Sequence, residues 1–398
     1  MPLFGKWGPG VERAVAPEAS RRVRRERRAW DVSTAIEAAA SFITDYVVLP
    51  DDTAFAVACW VAAAHLHGCW DRFPHLSINS PEMRCGKTTL LEVLNTIVPN
   101  PLFTSNISSA ALFRMIDKEH NTLLFDEAQS LSRRGSESSE VMLEILNAGI
   151  TRHASVKRCG GKHDDYEVRS FGIYSPKVFA LIGKTPPVLA DRSLPVHLER
   201  RLPDEIVLPN RSRVREPHGA EVKNKLILFA SHYRETIIAI YNALDGYDLS
   251  NARMADLLIP LQAVASIDGT HLDLLEQFAF SLDERDRDIL SQSIGVKLLH
   301  SLRTLFVNKS FFPTKDLVDE LNQDETWRSQ SHGHGLNAES LAKVLSEYKI
   351  RPVKKRDKTQ TRGFYRELFA EAWERYLSDP ATPSSPSEPS ASAPREPV

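Results

Sequence analysis

The chain has 398 residues, a hydrophobic share of 42% and a charged share of 26%, which suit two or three packed domains. A formal net charge of −2 excludes a globally basic nucleic-acid binder, so any such contact must come from local patches. Four scattered cysteines exclude a disulfide framework and suit a cytoplasmic setting, and the longest apolar run, 55–66, is too short to cross a bilayer, so no membrane partner is expected.

Residues 1–29 are punctuated by Gly and Pro and then strongly basic from Arg21 to Arg28, which reads as a flexible, solvated arm. Over 30–70, Val32, Ile36, Ala39, Ile43 and Val47 recur at helical spacing, and a second helix is predicted from Thr53 to His67. Both should pack on the core formed by the next segment. Residues 71–205 alternate strands and helices. Strands are predicted at Leu76–Asn79, Leu102–Thr104, Thr122–Phe125, Val178–Ile182 and Val196–Leu198. Helices are predicted after the first strand, from Ser108 or Ser109 through Ile116, and from Glu137 to Leu146. The pattern predicts an α/β core, a mostly parallel sheet with helices on both faces. Residues 206–294 read as an all-helical lid, with helices near 221–243, 252–267 and 270–281. In 295–377 the order of three helices, a strand, a basic turn, a strand and a helix suggests a winged-helix domain. Residues 378–398 form a Pro/Ser-rich tail expected to be disordered.

The densest signal is Ser80-Pro81-Glu82-Met83-Arg84-Cys85-Gly86-Lys87-Thr88-Thr89, set between the first strand and the helical run Leu90–Leu94. A strand, a loop ending Gly-Lys-Thr and a helix N-terminus make an anion cradle of backbone N–H groups. Residues Pro81 to Thr89 would wrap the phosphates of ATP. Lys87 would reach the β/γ-phosphates and the Thr88 hydroxyl would hold Mg²⁺. Pro81 stands where such loops usually open with Gly. It removes one N–H donor and stiffens the entry, but the wrapping donors lie further on, at Arg84 to Thr88.

The second half of the signal is Leu123-Leu124-Phe125-Asp126-Glu127, an apolar strand ending in two carboxylates. Asp126 would bind Mg²⁺ with Thr88, and Glu127 would orient and polarise the attacking water. One strand and one helix fit between Lys87 and this strand. That order predicts the P-loop NTPase fold of the additional-strand subclass, to which AAA+ proteins belong.

The run Phe73 to Thr88 resembles an uncharacterised P-loop ATPase domain family of bacterial mobile elements, a domain of unknown function. Its members occur alone or joined to primase modules, and their loops commonly begin Ser-Pro-Glu. The resemblance continues through Leu123–Ala128, Leu146-Asn147-Ala148-Gly149 with Arg152, Arg158-Cys159, Phe171–Val178 and Ala190–Val196. It reappears at Arg253-Met254-Ala255-Asp256 with Pro260-Leu261, and spans roughly 30–375. It implies an AAA+-like or helicase-like motor.

ATPases of this type usually work at subunit interfaces, so a homo-oligomer, such as a hexameric ring, is expected. Arg192 is the candidate arginine finger and counts with Lys87 and Glu127 in the catalytic set; Arg200 and Arg201 are alternatives, and a surface ion pair with Asp191 or Glu199 is the plainer role. Lys184 or Thr185 could close the sensor strand, and Arg253 could reach the nucleotide from the lid. In the winged-helix region, Lys343 lies on the predicted recognition helix. Lys354, Lys355, Arg356, Lys358 and Arg362 form a basic wing suited to DNA phosphates. His65, His67 and Cys69 end an apolar helix and lack a fourth partner, Cys159 and His163 flank a Gly-Gly loop, and His332 and His334 lie in another loop, so zinc is not expected. The leading expectation is an ATPase acting on DNA, helicase-like or replication-initiator-like. The alternative is an ATP-dependent regulatory switch or assembly scaffold working with a replication or defence partner protein.

Overall fold

The computed structural model describes residues 34–126, 137–160, 167–329, 335–355 and 361–377. Two compact units divide the chain, residues 1–283 and 284–398, so the sequence-based boundary at 294/295 falls eleven residues later than the observed one.

Two helices lead into the sheet of the first unit, α1 (Ala35–Thr44) and α2 (Asp51–Ala64). Every residue from Ala54 to Ala64 is buried, and the many alanines let neighbouring helices approach on all sides. Trp60 and Trp70 are buried as well. Their indole N–H groups donate to the carbonyls of Pro74 (2.8 Å) and Ala63 (2.9 Å), which fixes α2 against the entrance to the first strand.

The central sheet has five strands in the order β2-β3-β6-β1-β7, all parallel. They are β1 (His75–Ser80), β2 (Pro101–Thr104), β3 (Thr122–Phe125), β6 (Lys177–Ile182) and β7 (Ser193–His197). Between β1 and β2 lies α3 (Lys87–Ile97), and between β2 and β3 lies α4 (Ser109–Glu119). Ser108 caps α4, its hydroxyl accepting from the Ala111 N–H. Then come α5 (Glu137–Ala148), a separate antiparallel hairpin of β4 (Ser155–Gly160) and β5 (Glu167–Gly172), and, between β6 and β7, the short α6 (Pro187–Ala190).

Alternation along the strands splits their side chains between two cores. Leu76, Ile78, Leu124, Val178 and Ala180 join α1, α2 and α3 in one apolar cluster. Leu123, Phe125, Phe179 and Leu181 join α4 and α5 in the other. Three further helices, α7 (Ser212–Ala243), α8 (Ala252–Ala265) and the first part of α9 (Leu272–Gln292), add Leu226, Phe229, Leu258, Leu261, Phe278 and Leu282 to the first cluster. The helical segment read from sequence as a lid therefore shares the core of α1 and α2. A Cβ on Gly219 of α7 would lie 2.5 Å from Thr96 Oγ1, so glycine there permits α7 to approach α3 closely.

In the second unit, α10 (Ile294–Leu305), β8 (Phe311–Pro313), α11 (Thr314–Leu321), α12 (Glu325–Arg328), α13 (Ala338–Glu347), β9 (Val353–Lys354), β10 (Arg362–Tyr365) and α14 (Ala370–Leu377) follow in order. The strands form an antiparallel sheet in the order β8-β10-β9. Leu298, Leu302, Phe306, Leu317, Leu341, Leu345, Phe364, Phe369 and Trp373 make its core. A capping box between Asn337 and Ser340 starts α13. Among the described residues no helix is long and apolar enough to cross a membrane.

Candidate phosphate-binding site

At the carboxyl end of β1 the chain turns through Pro81–Gly86 and enters α3. Two left-handed residues make the turn, Arg84 (φ +65°) and Gly86 (φ +91°). The sharp bend thus falls late in the loop, and Pro81 does not have to supply it. Pro81, Glu82, Met83 and Arg84 are exposed, while Cys85 is buried, its Sγ 3.4 Å from the Glu82 carbonyl. Gly86 is the N-cap of α3 and has no side chain to satisfy the first turn, so the opening N–H groups of α3 remain available to an anion.

The Lys87 ammonium donates to Ser80 Oγ and to the Glu82 carbonyl (3.2 Å), which holds it across the mouth of the loop. The Thr88 hydroxyl donates to the Asp126 carboxylate at 3.0 Å. Asp126 directly follows β3, and β6 lies between β3 and β1 in the sheet. Residues 38 positions apart in sequence therefore meet at one sheet edge. A hydroxyl oxygen beside a carboxylate is a hard, oxygen-only donor pair of the kind Mg²⁺ uses together with phosphate oxygens, so these residues fit that ion. Glu127 lies outside the described residues. Thr89 is partly buried in the first turn of α3.

Sequence reasoning missed the polar floor beneath the loop. His75, Ser77 and Asn79 share one face of β1, opposite Leu76 and Ile78. Asn79 Nδ2 donates to the Gly183 carbonyl and to Thr185 Oγ1, both at 3.0 Å, and Ser77 Oγ bonds both Asn79 and Thr185. Gly183 N–H donates to the Ser80 carbonyl at 2.9 Å. The turn after β6 is thus locked to the start of the loop, with Thr185 inside the network and Lys184 exposed beside it. Three polar residues on a central, doubly covered strand were the available signal, because such strands usually run apolar.

The candidate arginines fall at two different edges. Arg192 precedes β7, and Ser193 pairs with His75, at the amino end of β1. Five residue steps separate His75 from Ser80, so Arg192 lies roughly 16 Å along the sheet from its own loop. Its guanidinium donates to the Val188 carbonyl at 2.7 Å and sits 3.8 Å from the Asp191 carboxylate. Arg253 also pairs with Asp191, so it belongs to this far edge and is not brought to the loop. Arg200 and Arg201 follow β7 at its carboxyl end and are exposed at the loop's own edge. On α7, buried Arg215 donates to Glu92 of α3 at 3.1 Å and to Asn210, tying that helix to the loop-bearing one.

Beneath the far edge lies a buried lysine. Lys177 Nζ donates to the carbonyls of Ser175 (2.9 Å), Ile173 (3.0 Å) and Gly149 (3.2 Å). Burial pulls its pKa down to about 7. Burial, followed by the Lys177 charge, also holds His75 well below the ordinary histidine range, and its Nε2 lies 2.9 Å from the Leu146 carbonyl. Gly149 has no Cβ because one would lie 2.4 Å from Lys177 Nζ.

In the second unit Lys343, Lys354, Lys355 and Arg362 are all exposed, and Lys354 is the cross-strand partner of Arg362. Arg356 and Lys358 lie outside the described residues.

Fold and site together define an α/β protein with a parallel sheet whose first strand feeds a glycine-turned loop into a helix N-terminus. The chain belongs to the family described as "Protein of unknown function (DUF3631)", which residues 197–376 match. The matched segment begins at the end of β7, so it leaves Lys87, Thr88 and Asp126 outside it. The chain is 32% identical over 209 residues to an "Uncharacterized 28.9 kDa protein in xis 5'region" of Saccharopolyspora erythraea, covering 48% of this chain and 75% of that protein. Among solved structures, "The apo structure of NrS-1 C terminal region (305-718)" aligns over 83% of this chain and 75% of its own, at 13% identity and a TM-score of 0.41. A likeness at that level is too distant to bear on function.

Proposed function

We propose that this chain is an ATP-binding and ATP-hydrolysing P-loop ATPase of the AAA+-like, additional-strand kind, which assembles as a homo-oligomer and acts on DNA. The observation that carries the reading is the meeting of Thr88 and Asp126 at 3.0 Å beside Lys87 and the open first turn of α3. A second support is the sheet order, in which one strand separates the loop-bearing strand from the strand that presents Asp126.

ATP with Mg²⁺ would supply the transferable phosphoryl group and the cation that neutralises its charge. The first-turn N–H groups and Lys87 would bind the phosphates, the ammonium exchanging Ser80 and Glu82 for phosphate oxygens. Thr88 and Asp126 would hold the cation. Glu127, the next residue, would orient water and accept its proton. Asn79 and Thr185 would fix the turn after β6 so that Lys184 faces the same edge. Arg192, on the far edge of its own sheet, suits a neighbour's site, which is why the oligomer belongs to the reading.

For DNA, the support is the second unit. Its order of helix, strand, helices and two further strands resembles that of a winged helix, and the exposed Lys354 and Arg362 are cross-strand neighbours on its sheet, where they would meet phosphates. The relative's name, which places it in the 5′ region of xis, accords with the mobile-element setting that the resemblance implies.

Turnover of ATP with and without DNA tests the proposal, together with subunit mass in each nucleotide state. Wild type should hydrolyse ATP faster with DNA, and Glu127→Gln should bind ATP without turning it over. Turnover indifferent to DNA, with ATP-dependent assembly, would instead favour a regulatory switch.

A further inference from the structure

Asp191 meets two arginines on one oxygen, and they do not share it equally. Its Oδ2 accepts a hydrogen bond from the Arg253 guanidinium, while that of Arg192 stops at 3.8 Å, beyond hydrogen-bond distance. Arg192 donates instead to the Val188 carbonyl at 2.7 Å. Among the described residues, Asp191 is the one carboxylate within ion-pair distance of Arg192.

Backbone contacts fix where the Arg192 side chain starts, whichever way it points. The Arg192 N–H donates to the Leu189 carbonyl at 3.0 Å, and its carbonyl accepts from the His75 N–H at 3.1 Å. Next to it, Ser193 Oγ donates to the Leu189 carbonyl at 2.6 Å. These bonds tie the residue to α6 and to β1. They leave open the direction of the guanidinium, and the charge beside it is Asp191.

Arg253 is held where it can decide that direction. It lies in the first turn of α8, which Asn251 caps by accepting from the Met254 N–H at 3.2 Å. Three residues on, the Asp256 carboxylate accepts from the Arg72 guanidinium at 3.0 Å, which ties the same turn to the segment leading into β1. A cation in the first turn faces the positive end of the helix dipole, so Arg253 is not placed there for the sake of α8. Its counter-charge is Asp191, 62 residues away in sequence.

We propose that Arg253 is a positioning residue for Arg192. By occupying the Asp191 carboxylate, it keeps the Arg192 guanidinium from folding back onto its own chain and leaves it available to a triphosphate held by the neighbouring copy. Without Arg253, Asp191 would be an unneutralised carboxylate beside Arg192, and the two would close to a direct ion pair. The fork that should meet phosphoryl oxygens would then be spent on a carboxylate of the same geometry. This role rests on the proposed placing of Arg192 at a neighbour's site.

The test is steady-state ATP turnover by the full chain, for wild type, Arg192→Ala, Arg253→Ala, Asp191→Ala and Arg253→Ala/Asp191→Ala, with the melting temperature of each. Arg253→Ala should lower kcat about fivefold with KM for ATP unchanged, the weight of one part-exposed ion pair acting on a transition-state contact. Asp191→Ala removes the competing carboxylate and should turn over ATP at least as fast as wild type. The double variant is decisive. With no carboxylate to fold back on, Arg192 no longer needs Arg253, so turnover should return to within about twofold of Asp191→Ala. Asp191→Asn, alone and with Arg253→Ala, repeats the comparison with a side chain of unchanged size. A merely structural pair gives the opposite pattern: both single variants and the double lose turnover and melting temperature together, and that result would overturn the role. Wild-type turnover in Arg253→Ala would overturn it as well, with the finger left standing if Arg192→Ala is slow. Wild-type turnover in Arg192→Ala would overturn both the finger and its positioning.

Discussion

Lys177 gives the first unit a pH dependence that can be measured against a variant. Its ammonium is fully buried and is met by three backbone carbonyls, yet burial brings its pKa from 10.5 down to about 7. Between those values the unfolded chain carries a proton at Lys177 that the folded chain releases. More protons on the unfolded side mean that stability rises with pH through this window. The contribution is complete above 10.5 and is lost as pH falls toward 7, at roughly 1 kcal/mol per pH unit. Urea unfolding should be followed by tryptophan fluorescence, which the buried Trp60 and Trp70 report, at intervals from pH 7.5 to 9.5. Lys177→Met keeps the length of the chain but cannot titrate, and it leaves three carbonyls without a donor, so it should be less stable throughout. Its decisive property is slope. The difference between wild type and variant should grow by roughly 2–3 kcal/mol across those two pH units, while the rise of the buried Cys59 thiol cancels between them. Parallel pH profiles would refute the account and would mean that Lys177 stays charged in its carbonyl cage.

Other expectations follow from crowding and from the arginines. Gly149→Ala would place a Cβ 2.4 Å from Lys177 Nζ and 2.7 Å from the Ile173 carbonyl, and should cost about 1–3 kcal/mol by urea unfolding. Gly363→Ala would set a Cβ 2.1 Å from the Phe312 carbonyl within the small sheet, so loss of far-UV signal from the second unit should come at a lower temperature with ATP binding unaffected. Arg192→Ala should cut hydrolysis by about 10³-fold or more while sparing ATP binding, and mixing it with Lys87→Ala should restore part of the activity, because each copy then supplies what the other lacks.

The loop and its partner carboxylate were legible because each is a short local pattern at the end of a strand. Gly86 and Lys87 sit where a helix must start, and Asp126 ends an apolar run. What escaped was set by tertiary contact. The strand Ser155–Gly160 has no apolar alternation and runs into a pair of glycines, so it reads as a loop; its pairing with Glu167–Gly172 supplies the order that propensity does not. The helix α7 begins at Ser212, whereas the sequence points to a start near 221, since Pro217 and Gly219 look like breakers. Close packing on Thr96 and Phe42 explains why glycine is suited there. The separation of Arg253 from the loop could not be read at all. Which edge of a sheet an arginine reaches depends on the register of β7 against β1, and no local residue pattern encodes that.

The most direct test of the central claim is equilibrium binding of ATP to the full chain with Mg²⁺, measured by titration calorimetry for wild type, Lys87→Ala and Thr88→Ala. Wild type should bind one ATP per chain. Lys87→Ala should lose at least about tenfold in affinity, and Thr88→Ala should bind ATP with little further gain on adding Mg²⁺, because the hydroxyl 3.0 Å from Asp126 is one of the cation's holders. Equal ATP affinity in all three proteins, or no ATP binding by wild type, would contradict the assignment of this loop as a nucleotide site.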